Sequence, residues 1–146
     1  MTAYRATGAE LGQSYYLALL AEAYGTAGQA EEGLCLLSEA LTLVDKTAQR
    51  WWEAELYRLK GELLLALATD NRLEAETCFH QALHVAHHQQ AKSLELRAAM
   101  SLARLWQRQD KHVEAQQLLT EVYGWFTEGF DTVDLQEAKA LLEELG

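Results

Sequence analysis

Residues 14–47 read SYYLALLAEAYGTAGQAEEGLCLLSEALTLVDKT. Leu17, Leu20, Ala21 and Tyr24 precede Gly28, and Gly33, Leu37 and Ala40 follow it. These positions fall three or four apart on both sides of Gly28, the spacing of two amphipathic helices joined by a tight turn. Small residues at Ala21, Gly33 and Ala40 would let the two helices approach closely. The spacing of Thr7 and Glu10 suits a capping box, so the first helix is expected over about 8–27. Gly28 would end it by adopting a backbone conformation that other residues resist. The second helix, over about 30–46, would bury Leu34, Leu37, Ala40 and Leu41.

The same arrangement recurs twice downstream. From Arg50, a helix carries Trp51, Trp52, Leu56, Tyr57, Leu59, Gly61 and Leu63 to Leu65. Thr69-Asp70-Asn71 is the expected turn, with Asn or Asp in the place of glycine. The return helix carries Leu73, Ala75, Phe79, Ala82, Leu83 and Val85. From Ala91, a third pair carries Leu94, Leu96, Ala99, Leu102, Ala103 and Trp106, then the turn Gln109-Asp110-Lys111. Its return helix has Val113, Ala115, Leu118, Leu119, Val122, Trp125 and Phe126. Gly124 would lie inside that helix, costing about 1 kcal/mol against alanine, as a point of close contact. Glu128-Gly129-Phe130 is the expected stop, with Phe130 folded back on Trp125. A seventh helix follows, capped by Asp131 or Thr132, with Leu135, Ala138, Leu141, Leu142 and Leu145 in one apolar stripe. It would cover the end of the stack. No comparable lid precedes the first pair, so the N-terminal face is expected to be exposed and able to self-associate.

The 146 residues suit one domain, and 49% of them are apolar. There is no proline, which favours uninterrupted helices. The net charge of −10 would repel nucleic acid and anionic membranes. No apolar run approaches the ~18 residues of a membrane span, and the first residues lack a basic-then-apolar signal. Cys35 and Cys78 fall inside helical patterns and read as free buried thiols of a cytoplasmic protein.

The helix–turn–helix units resemble the tetratricopeptide repeat (TPR). Ala21, Gly61 and Ala103 hold equivalent places, 40 and 42 residues apart, longer than the ~34 usual for that class. The usual inter-repeat proline is replaced by Asp45, His87 and Thr127. The resemblance implies an all-α fold: a right-handed α-solenoid of three TPR-like helix pairs plus a C-terminal capping helix. It would be one domain over 1–146, with repeats at about 14–47, 50–89 and 91–129 and the cap at 131–145. Long, proline-free repeats are similar to the helical domain of maltose-regulator type transcriptional activators. They also resemble the C-terminal tails of bacterial signalling proteins that carry a nucleotide cyclase and an ATPase. RLKGELL at 58–64 and YGWFTEGF at 123–130 carry that second likeness.

Catalytic patterns are weak. His80, His84 and His88 share one helical face, a spacing open to zinc or nickel but equally to a polar outer stripe. Neighbouring acids such as Glu31-Glu32 and Glu143-Glu144 point apart on a helix and make no acid–base couple. No serine triad and no phosphate-binding glycine loop can be read, so neither an enzyme nor a cofactor is expected. Of Trp51 and Trp52, one should pack in the core and the other cover the junction with the preceding helix or anchor a partner.

What remains is the groove that the first helices of such repeats line. Its positions carry over to Tyr15, Ala18, Glu22, Gly25 and Thr26, then to Glu55, Arg58, Glu62, Leu65 and Ala66. In the third repeat they are Arg97, Met100, Arg104, Gln107 and Arg108. Arg97, Arg104 and Arg108 would meet an acidic peptide or a C-terminal carboxylate, unless they pair with Glu62 or Glu95. The expected function is a non-catalytic protein–protein interaction scaffold, a regulatory segment of a larger bacterial signalling protein whose upstream domains are one partner. The alternative is a small-molecule sensor with a pocket between Tyr15, Tyr57 and Met100.

Overall fold

The computed structural model describes residues 13–47, 50, 52–127 and 132–146. These form seven α-helices and, among the described residues, no strand: α1 (Gln13–Thr26), α2 (Ala30–Thr47), α3 (Glu53–Leu67), α4 (Arg72–His88), α5 (Lys92–Arg108), α6 (His112–Tyr123) and α7 (Val133–Leu145). The expected helix start near Gly8, the stop at 128–130, Trp51 and Asp131 lie outside the described residues.

Three helix ends close in the same way. After α1, Gly28 takes φ 81°; its N–H donates to Gly25 O (3.1 Å), and Gln29 N–H donates to Tyr24 O (2.8 Å). This left-handed cap satisfies carbonyls that a helix end leaves open. After α4 the same pair of bonds forms around Gln90 (φ 57°), with Ala91 N–H reaching Ala86 O at 2.9 Å. After α5 it forms around Asp110 (φ 61°), with Lys111 N–H reaching Trp106 O at 2.8 Å. The turn at 69–71 is different. Ala68 is extended, Thr69–Asn71 make one 3-10 turn, and Asn71 has an ordinary negative φ. Asn71 does not replace a glycine there; its side-chain amide donates to Leu64 O at 3.0 Å and so caps α3. At α7, Thr132 is the cap, its Oγ1 accepting from Leu135 N–H at 3.4 Å.

Each helix packs on the next one in the chain. Second neighbours touch along one row only: α1 meets α3, α3 meets α5 and α5 meets α7, with Cα atoms within 8 Å. Among the described residues α2 does not reach α4, nor α4 α6. The core accordingly comes in sections. Leu17, Ala21, Leu37, Ala40, Leu56 and Leu63 pack between α1, α2 and α3. Phe79, Leu102 and Leu105 fill the middle with Ala75. Leu96, Ala103, Leu119, Leu135, Ala138 and Leu141 join α5, α6 and α7.

Small residues set how closely the rods lie. Ala21, Ala40 and Ala103 are fully buried. A Cβ on Gly33 would fall 2.9 Å from Ala21 O and 2.9 Å from Leu63 Cδ1, and one on Gly61 would fall 2.5 Å from Phe79 Cε1. Gly25 lies so near Leu63 that a Cβ there would overlap its Cδ2.

Four expectations need correcting. α6 ends at Tyr123, and Gly124 is its C-cap rather than an interior position; among the described residues a Cβ there would meet carbonyls of its own turn, Thr120 O and Glu121 O. Trp125 and Phe126 lie beyond the helix, packed on the last core section. Leu73 and Val113, read as core, are 81% and 63% exposed, because each sits in the first turn of its helix, before the neighbouring helix covers it. Cys35 is exposed while Cys78 is buried, and both are free thiols. Burial pushes the Cys78 thiol up, with Lys60 lowering it and Glu74 raising it, which keeps it protonated and unreactive.

Candidate functional site

The row α1, α3, α5, α7 carries a ladder of ionic groups. Glu55, in the first turn of α3, is 3% exposed. Arg58, one turn later, donates to it twice, Nε to Oε1 at 2.5 Å and Nη2 to Oε2 at 3.0 Å. Arg97 Nη1 reaches Glu55 Oε2 from α5 at 2.5 Å. The chain of charges continues both ways. Arg58 lies 3.9 Å from Glu22 on α1, and its Nη1 donates to Ser101 Oγ at 3.4 Å. Arg97 Nε lies 3.5 Å from Asp134 on α7, and Arg104 lies 3.9 Å from Glu137. Burial alone would lower the Arg58 guanidinium, but the hydrogen bond and charge of Glu55, then Glu62 and Glu22, raise it on balance, so its charge is locked.

Arg97 therefore pairs with Glu55 and Asp134 and Arg104 with Glu137, not with Glu62 or Glu95, while Arg58 pairs with Glu55 and Glu22. The pairing divides them. Arg58 and Arg97 are held against a buried carboxylate by short, charge-assisted bonds. Arg104 has a long contact only with an exposed acid, and Arg108 is exposed.

Above the ladder is an open cleft of about 390 Å³ between α1, α3 and α5. Glu22, Gly25, Thr26, Arg58, Glu62 and Arg104 line it, with Ala66 at one edge. The structure brings these groove positions together. It does not bring the rest. Ala18 and Met100 are buried, Met100 at 3% in the last core section, and Leu65 packs on the middle section. α5 turns Met100 inward because the positions one turn either side of it, Leu96 and Ala103, also face α6 and α7. Tyr57 is half-buried on the far side of α3, among Glu53, Asp45, Arg50 and Cys78, where burial raises its phenol first and the two acids next. The expected pocket shared by Tyr57 and Met100 is thus not formed. Tyr15 lies in α1, but its side chain is outside the described residues.

His80, His84 and His88 are all exposed, and the His84 and His88 rings stack at 6.3 Å. Among the described residues no three His, Cys, Asp or Glu side chains converge on a metal position. Among the same residues no helix is long and apolar enough to cross a membrane. Trp52 packs on the first core section, at the junction with α2. Two groups escaped the reading of the chain. Asp134 and Glu137 meet arginines 37 and 33 residues earlier, a separation that leaves no local pattern. Glu95 is buried beneath His87, whose Nδ1 lies 3.2 Å from Oε2. Burial pushes the Glu95 carboxyl up, the charge and hydrogen bond of His87 pull it down, and Glu121 raises it further, for a net rise.

Compared with known proteins, the chain matches no protein-family model and no curated protein.

Proposed function

We propose that the chain is a non-catalytic protein–protein interaction module, a right-handed α-solenoid of TPR-like helix pairs closed by α7. One observation carries this reading. Among the described residues only the odd-numbered helices touch their second neighbours, as the inner row of a curved stack does, and the same row bears the cleft. A rigid inner face offers a partner a ready-made surface, so little ordering entropy is lost on binding. Arg104 and Arg108 are the groups free to take an acidic peptide or a terminal carboxylate, while Glu22 and Glu62 suit a basic residue at the other end. By resemblance, the module serves a larger cytoplasmic bacterial signalling protein, holding or releasing its upstream catalytic parts.

The test is fluorescence anisotropy with a panel of acidic C-terminal peptides. Replacing Arg104 and Arg108 together by alanine should weaken binding about tenfold with no loss of helicity. Unchanged affinity sinks the groove. The cleft volume also lies within the range of small-ligand pockets, which favours a metabolite sensor as the second reading. A thermal-shift screen separates the two: a metabolite that raises the melting temperature favours the sensor, and stabilisation by a protein partner alone favours the scaffold.

Self-association through the N-terminal end belongs to the same proposal. Tyr16, Leu19 and Tyr24 of α1 are exposed, and their side chains offer apolar surface to a second copy. Leu19→Glu should abolish any concentration-dependent dimer in sedimentation velocity; a dimer that persists removes α1 from the interface.

A further inference from the structure

A second cleft lies on the side of α5 away from the ladder. Its about 440 Å³ are bounded by His87, Gln90, Lys92, Glu95 and Trp125. An adjoining hollow of about 320 Å³ shares His87, Glu95 and Trp125 and adds apolar walls from Leu83, Leu118 and Val122. Three glutamates are buried among the described residues, and their partners differ. Glu55 has two arginines, and Glu53 has Arg50 at 2.9 Å. Glu95 has a histidine that is itself 72% exposed. A carboxylate withdrawn from water calls for a permanent cation, and an imidazole is charged only part of the time near neutral pH. The His87 ring also lies 6.0 Å from the Trp125 ring. It is thus placed between a buried carboxylate and an indole, the surroundings that favour an organic cation.

We propose that Glu95 and Trp125 form a seat for a guanidinium or primary ammonium group, and that His87 occupies this seat in the structure. The ligand's charge would replace the imidazole against Glu95, its stem would lie on Leu83, Leu118 and Val122, and His87 would swing into solvent. The charged and titratable groups around the seat are His84 and His87 on α4, Lys92 and Glu95 on α5, and Glu121 on α6. Lys92 repels a cation at the Gln90 end, so the ligand enters past Glu121.

The experiment titrates the full chain with N-acetylarginine amide and with agmatine, following the indole 15N–1H signal of Trp125, with N-acetylcitrulline amide as the uncharged control. His87→Ala should bind about fivefold more tightly than the wild type. Glu95→Gln should bind at least about tenfold more weakly. Circular dichroism confirms that both variants are folded; if Glu95→Gln is not, Trp125→Leu replaces it, with binding read by isothermal titration calorimetry. Tighter binding of agmatine assigns the seat to small amines, and tighter binding of the blocked arginine assigns it to a partner's side chain. Equal binding of the citrulline control, no gain in His87→Ala, or undiminished affinity in Glu95→Gln overturns the proposal.

Discussion

Glu55 and Glu95 are both buried acids in the first turn of an odd-numbered helix, yet their surroundings could hardly differ more. Glu55 is clamped by Arg58 from its own helix and Arg97 from the next, so its charge ties α3 to α5. Glu95 faces α4, where an exposed histidine at 3.2 Å is its partner. The first carboxylate is a joint and the second is a vacancy loosely covered. Both carboxylates are withdrawn from water, and the permanence of the opposing charge differs.

One substitution, glutamate to glutamine, breaks or sharpens this contrast. Glu55→Gln leaves Arg58 and Arg97 with only their longer contacts to Glu22 and Asp134, and should cost about 3 kcal/mol in urea unfolding. A loss below about 1 kcal/mol would mean that water already screens the joint. The next effect is in the backbone at the edge of the second cleft. Gln90 holds a left-handed conformation that glycine adopts without strain. Gln90→Gly should therefore raise stability by about 1 kcal/mol, whereas Gly28→Ala should lower it by a similar amount.

The smallest effect carries the most telling sign. Because burial raises the Glu95 carboxyl in the folded chain, folding favours its protonated form. That contribution is fully present below the ordinary carboxylate range and is lost as the pH rises through the elevated value. Glu95→Gln has no such proton to lose. Measured against it, the wild type should weaken across that acid window and then level off. At neutral pH the variant should be equal or slightly more stable, by less than about 1 kcal/mol. A wild type that gains on Glu95→Gln with rising pH would place Glu95 in a firm ion pair after all.

Local chemistry made much of the fold readable. Gly28 announces its own turn, and the intervals between Ala21, Gly33 and Ala40 mark a helical interface, because periodicity and small size act within a few residues. The boundaries were less readable where a rule had two outcomes. Gly124 fits a helix interior by its neighbours but a C-cap by its position, and Asn71 caps with its side chain where a left-handed backbone was expected. Of the candidate groove, Glu22, Arg58, Glu62 and Arg104 do converge, while Met100 turns inward. A position assigned by repeat register carries no information on which way that helix is rolled against its neighbours.

Composition, spacing and the turn residues by themselves determined the class of structure: among the described residues there are seven α-helices and no strand. Tertiary structure alone decided which charges meet. Arg97 and Asp134, or Trp106 and Glu76, whose hydrogen bond is 2.6 Å long, are brought together by how whole helices lie across one another. The physical reason is range. Helix propensity, capping and apolar periodicity act over a turn or two of backbone, whereas a salt bridge between helices depends on the rotation and offset of each rod, which the packing of every core side chain sets at once.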